Sequence, residues 1–295
     1  MRLVVGLALG SAIAVAWAKE PRVDRGPIQD VDPLAAVVSE LSESGVRLDL
    51  ERGRCAIDAR VLARYQPLEY LLVGERGQAH ESLFGTEVEA SLLNTALLLL
   101  GAEPGQNARW VEVESDEAEG TVENDGLGGP PAEPEDERPA PKRFAIEPPE
   151  GDGFYLYAAW VEDDETYLYR VEDLIANVEE ARSMRRHRFV FLGSKMIQPR
   201  QDSAEEVFAA DLEQNLINVA YFRAGHTLLT TATSAASSED AWFANHWLVP
   251  GEGKTVRLVF SRSRIAGLPA GLGESVAAPD PIFGGLPSVA GETDR

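Results

Sequence analysis

The chain has 295 residues, 44% of them hydrophobic, with one cysteine and a formal net charge of -22. Such a length and apolar content suffice for a buried core without cross-links, and a lone cysteine excludes an intramolecular disulfide and a four-thiolate iron–sulfur cluster. The acidic balance argues against nucleic acid and anionic membrane surfaces as partners.

Residues 1–18 read as a secretion signal, with Arg2 as the positive start, an apolar run at 3–15 and the small-x-small site Ala16-Trp17-Ala18. That run is short of the roughly 20 residues a spanning helix needs, so the expectation is cleavage, no stable membrane span afterwards, and a periplasmic or secreted protein. Retention as an uncleaved anchor is the alternative. Cys55 lies too far downstream to be a lipidation site and reads as a small buried apolar side chain. Residues 19–33 form a polar leader.

A single folded domain is expected over 34–263, interrupted by an acidic loop at about 111–143. Within 111–140 there are eleven acids against one base, Arg138, with four prolines, four glycines and almost no large apolar side chain. This stretch cannot bury enough surface to offset the entropy of ordering and reads as a disordered, self-repelling spacer. Residues 264–295, rich in Gly, Pro and Ala, read as a flexible tail.

In the first block, Leu34, Val37, Val38 and Leu41 share one face at helical spacing, predicting a short helix over 33–41. Residues 46–50 and 55–61 alternate apolar and polar around Glu51-Arg52-Gly53, which predicts a hairpin. A further strand follows at 68–73. Thr86 and Glu89 have capping-box spacing, Leu92, Leu93, Ala96, Leu97 and Leu100 make one broad apolar face, and Gly101 supplies the stop, so 86–100 predicts the main helix.

The second block is richer in strands: 154–160 and 166–170 around an acidic turn, 189–193, a hairpin of 207–210 with 216–222, and 256–260. A helix is expected from Val171 to just before Arg185. Strands outnumber helices and are joined by short turns, so the expected class is α+β, a mainly antiparallel sheet covered by one or two helices.

Pro67-Leu68-Glu69-Tyr70, His80-Glu81-Ser82 and the run 96–105 resemble the YdjY-domain family of exported bacterial proteins. Pro148-Pro149-Glu150-Gly151, the run 189–194, Phe208-Ala209-Ala210-Asp211 and Leu216-Ile217 continue the resemblance in the same order, over 46–260 in all. It implies that both blocks form one domain. Some members carry a ferredoxin-like label, which one cysteine cannot support. Family members tend to have a histidine where this chain has Asn94 and a tryptophan where it has Phe189, and the first departure weakens any two-histidine metal site.

No nucleotide, zinc or nucleophile-elbow motif is present, and no cofactor is expected. His80, Glu81 and Ser82 are the ligand-binding candidates, because a ring nitrogen, a carboxylate and a hydroxyl could converge beside the main helix. His187 among Arg185, Arg186 and Arg188 reads as a solvated basic face, with an anion or acidic-partner contact as the alternative. His246, flanked by Trp242, Phe243 and Trp247, suggests an aromatic core wall rather than a metal shell. Ser194 beside Lys195, and Asp211, are weaker candidates for chemistry. The functional expectation is a noncatalytic binding or structural module of the cell envelope, its partner an envelope protein or small ligand. The alternative is a hydrolase or metal-assisted enzyme using His80 and Glu81.

Overall fold

The structure, a computed structural model, describes residues 32–113, 143–200, 204–267 and 280–289. The expected signal, nearly all of the leader and residues 114–142 of the acidic loop lie outside the described residues.

Helix α1 spans Pro33–Glu43, with the Asp32 carboxylate accepting from the Leu34 amide and proline at the first helical position. Strands β1 (Arg47–Asp49) and β2 (Arg54–Val61) form the expected hairpin, Leu48 opposite Cys55. Next come β3 (Tyr70–Val73), a 3-10 turn (Ala79–Glu81), β4 (Ser82–Gly85) and α2 (Ala90–Leu99). Gly101, at φ +75°, stops α2 as expected. The start of α2 differs from the capping box: Thr86 bonds to Val88 and Asp58, and the Ser91 amide is capped by Asp211 from the second block. A side chain 120 residues away replaces a local cap.

A ribbon of β5 (Arg109–Val113) and β6 (Arg143–Glu147) brackets the acidic segment, so both ends of the expected loop are paired strand. Strands β7 (Gly153–Glu162) and β8 (Glu165–Arg170) are joined by Asp163 and Asp164, both at positive φ, in the manner of a twist-matched two-residue hairpin. The helix expected after Val171 is absent. One 3-10 turn (Val171–Leu174) leads into the short antiparallel pair β9 (Ile175–Asn177) and β10 (Arg182–Ser183). The apolar spacing of Val171, Leu174 and Ile175 mimics a helix, but Glu172 is drawn inward and Asn177 accepts from the Glu180 amide to turn the chain.

Strand β11 (Phe189–Phe191) follows, and then β12 (Met196–Ile197) pairs with β13 (Val207–Phe208). The expected hairpin of 207–210 with 216–222 is therefore corrected: Ala209–Glu213 is a short helix, α3, and β14 (Asn215–Asn218) pairs with β3 and, in parallel, with β15 (Leu229–Thr230). Strands β16 (Trp242–Ala244), paired to β9, and β17 (Thr255–Ser261) complete the described set.

The α+β expectation is overturned. The sheet closes on itself as an eight-stranded barrel in the order β2-β17-β7-β11-β15-β14-β3-β4, with β4 returning to β2 through Arg60 opposite Gly85 and Val61 opposite Phe84. Strands from both blocks belong to it. Alternation tells which side chains share a face, but not whether the last strand meets the first.

The two faces of the barrel wall separate cleanly. Cys55, Ile57, Leu258, Phe260, Leu156 and Trp160 join the main core with Leu93 and Leu97 of α2. On the outer face, Ala56, Val259, Tyr157 and Ala159 are covered by Ile282 and Phe283. The flexible tail expected over 264–295 thus contains a packed clasp at 280–289. Its anchor is Arg257, 1% exposed at its side chain, which binds the Asp58 carboxylate and donates to the carbonyls of Ile282, Gly284 and Gly285. Among the described residues, no helix is long and apolar enough to cross a membrane.

Candidate functional site

Strand β7 holds β17 along one edge and shares the other between β11, at Gly153 and Phe154, and β8, from Tyr157 onward. The wall therefore forks beside Tyr155. Glycine at 153 permits the close approach of β11, since a Cβ there would stand 2.5 Å from the Phe189 carbonyl oxygen and 3.2 Å from the Arg188 Cβ. At this fork opens a cavity of about 380 Å³ lined by Tyr155, Tyr157, Arg170, Arg186, His187, Arg188, Arg264 and Ile265. Its size lies in the range of ordinary small-ligand sites.

Arg170 forms the floor. Its guanidinium lies 5.1 Å and 5.5 Å from the ring centres of Tyr155 and Tyr157, and forks onto the Glu172 carboxylate, which is fully buried. It also donates to the His187 carbonyl, while the His187 amide donates to Glu172. Burial pushes the Glu172 carboxyl up, and the Arg170 charge opposes it. Arg186 is likewise neutralised, by two bonds to Asp173.

Arg188 and Arg264 differ from these two. Among the described residues neither has an ion-pair partner: Arg264 lies over the Tyr155 ring at 5.7 Å, and the nearby Asp152 is engaged by the Glu103 amide and Arg262. Among the described residues the pocket thus carries two guanidinium groups that form no ion pair, with the Arg188 charge felt by Asp152, in a chain of net charge -22. Guanidinium forks match carboxylate and phosphate oxygens, and tyrosine faces accept a planar or apolar body.

His187 is structural rather than solvated. Its Nδ1 donates to the Arg185 carbonyl at 2.7 Å and its Nε2 accepts from the Thr231 hydroxyl at 2.9 Å, which fixes the neutral tautomer. Burial, aided by the Arg170 charge, holds the imidazole down to about 4. A base depressed in the folded state takes its proton more readily when unfolded, so its contribution to stability is full above pH 6.5 and is lost as pH falls toward 4. NMR titration is expected to place His187 near 4, and His187→Gln to lose less stability than the wild type between about pH 7 and 4.5.

The residues singled out in the sequence are placed elsewhere: His80 and Glu81 pair with each other, and the other candidates do not join them. His246 lies beside the exposed rings of Tyr65 and Trp247 rather than in the expected core wall. His80, on the turn before β4, is 71% exposed at its side chain, with Nε2 3.5 Å from Glu81. The Ser82 hydroxyl is buried and donates to the Gln78 carbonyl. Burial and the neighbouring Glu81 push the Glu69 carboxyl above its ordinary range. Ser194 donates to the His226 carbonyl and Asp211 caps α2, so neither joins His80 and Glu81. His226 bonds Glu213 at 2.5 Å beside a cavity of about 100 Å³, too small for an ordinary ligand. Among the described residues, no group of three or more His, Cys, Asp or Glu side chains could hold a metal ion. Cys55 is buried in the barrel interior, and burial pushes its thiol up, away from reactivity.

Sequence reading singles out the run 185–188 as a solvated basic face; Arg186, His187 and Arg188 of it line this cavity, while Arg185 pairs with Glu180. Tyr155 and Tyr157 sit on the outward parity of β7, Arg170 ends β8 and Arg264 follows β17; the pairing of β7 with β8, β11 and β17 collects them. No curated protein and no solved structure matches the chain. The YdjY domain matches residues 46–261, the span from the start of β1 to the end of β17, and on that match the chain belongs to the YdjY-domain family.

Proposed function

We propose that the protein is an exported, noncatalytic binding module of the cell envelope that captures a small anionic ligand at the Tyr155–Arg264 pocket. The observation that carries this reading is the pair Arg188 and Arg264, which among the described residues form no ion pair and stand beside two tyrosine rings, while Arg170 and Arg186 are neutralised. A carboxylate or phosphate group bridges these two guanidinium groups, and the tyrosines hold the rest of the molecule. The partly buried network of Arg170, Glu172 and His187 presets the floor, which lowers the ordering cost of binding. In the His80–Glu81 alternative a histidine and a carboxylate are in contact, and the neighbouring Ser82 hydroxyl is turned to the Gln78 carbonyl.

Isothermal titration with citrate and with pyrophosphate tests the reading. At least one anion is expected to bind the wild type, with the Arg188→Gln/Arg264→Gln double variant at least about tenfold weaker, since removing a hydrogen bond to a charged group costs roughly 1.5–3 kcal/mol. Binding is expected to weaken with added salt and to survive His80→Ala. No binding of either anion, or equal binding by the double variant, would refute it.

A further inference from the structure

Two carboxyl groups face each other where the barrel closes. Strand β4, four residues long, carries that closure, pairing with β3 on one side and β2 on the other. Its register with β3 sets Tyr70 opposite Ser82, and the Glu69 amide donates to the Glu81 carbonyl at 2.9 Å, so the ladder runs one step further and Glu69 lies opposite Glu81. Registered partners on neighbouring strands share a face, which brings the two carboxyl groups within hydrogen-bonding reach.

The backbone leaves the pair little room to separate. The Glu69 carbonyl accepts from the Val219 and Ala220 amides just after β14, and the Leu68 amide donates to the Trp242 carbonyl. On the other side, the Ser82 hydroxyl donates to the Gln78 carbonyl and the Gln78 amide to the Asn215 side chain. Glu69 is half-buried and Glu81 is 35% exposed at its side chain, so salt and water screen their repulsion incompletely. Glu239, in the loop before β16, adds a third negative charge, and His80, with Nε2 3.5 Å from Glu81, opposes the three when protonated. Tyr70, next along β3, is acted on by the same carboxylates and by Glu213 of α3.

We infer that Glu69 and Glu81 share one proton in acid, forming a latch that tightens the β3–β4 seam, and with it the barrel's closure, as pH falls from neutral. Protonated Glu69 donates to the Glu81 carboxylate in a charge-assisted bond, whereas with both ionised two like charges oppose each other across the seam. Burial first, and then the charges of Glu81 and Glu239, push the Glu69 carboxyl above its ordinary range. A carboxyl that holds its proton more tightly when folded contributes stability that is full below the ordinary carboxyl range and is lost as pH rises through the folded value. This is the reverse of His187, whose contribution is lost in acid. No residue of the latch lines the anion pocket, so the inference stands apart from the proposed function.

Glu69→Gln tests it, because the carboxamide gives Glu81 a permanent donor in place of the proton. In urea unfolding of the full chain at pH 7.5, its unfolding constant is expected at least about twofold below that of the wild type, the scale of a cross-strand charge pair, with the difference shrinking toward pH 4. Corrected for intrinsic rates, exchange of the residue-69 amide is expected to slow from pH 7.5 to 5 in the wild type and to stay constant in Glu69→Gln. Adding His80→Gln to both chains is expected to preserve the difference between them, and adding Glu81→Gln to Glu69→Gln to bring no further gain. A Glu69→Gln chain no more stable than the wild type at pH 7.5, an advantage undiminished at pH 4 or lost with His80→Gln, or additive gains from the two glutamines would overturn the inference.

Discussion

Arg257→Met is expected to release the clasp at 280–289 from the barrel wall. The aliphatic stem of methionine refills part of the volume, but the carbonyls of Ile282, Gly284 and Gly285 lose their donor, and Asp58 loses its buried partner. Keeping the Ile282 carbonyl buried without a partner costs about 1–3 kcal/mol, and less for Gly284 and Gly285, which water reaches, while lifting the clasp exposes Ile282 and Phe283, at about 1.5–3 kcal/mol each. The cheaper route sets the loss, expected at about 2–4 kcal/mol and read from denaturant unfolding. Amide exchange should quicken throughout 280–289. Asp58→Asn should be milder, because Asp58 is 39% exposed and water can replace its partner. Since Ile282 and Phe283 pack in one cluster with Tyr155 and Tyr157, the Arg257 variant should also bind anions more weakly.

A comparable loss is expected from Glu172→Gln. Arg170 is 10% exposed and Glu172 not at all, so removing the carboxylate charge strands a guanidinium in a nearly dry environment. Breaking such a pair from one side costs about 3–5 kcal/mol, whereas replacing both partners by apolar side chains of similar volume is often neutral or stabilising. The double variant Arg170→Met/Glu172→Leu should therefore recover much of the stability lost by Glu172→Gln. In the cycle completed by Arg170→Met and Glu172→Leu alone, additive losses would mean that the two charges are not coupled.

Local structure was readable where one stretch of sequence determined it. The β1–β2 hairpin, the β7–β8 hairpin and the Gly101 stop each depend on alternation or a turn within a few residues. The misread elements depend on distant partners. Residues 171–185 have apolar spacing that also fits a helix, and only the Arg170–Glu172 pair and the β9–β16 pairing decide otherwise. The clasp looks like a loose tail because its few apolar residues are scattered among Gly and Pro, and the arginine that secures it lies on β17. The same limit hid the pocket. Its residues come from four separate places in the chain, whereas His80-Glu81-Ser82 is compact in sequence but brings together only His80 and Glu81.

The most direct test of the anion pocket is an amide and side-chain NMR titration of the isotopically labelled protein with whichever of citrate or pyrophosphate binds. The account predicts saturating shifts centred on Tyr155, Tyr157, Arg188, Arg264 and Ile265, with His80 and Glu81 unmoved. Shifts centred on His80 and Glu81, or none at the fork of β7 at saturation, would contradict it.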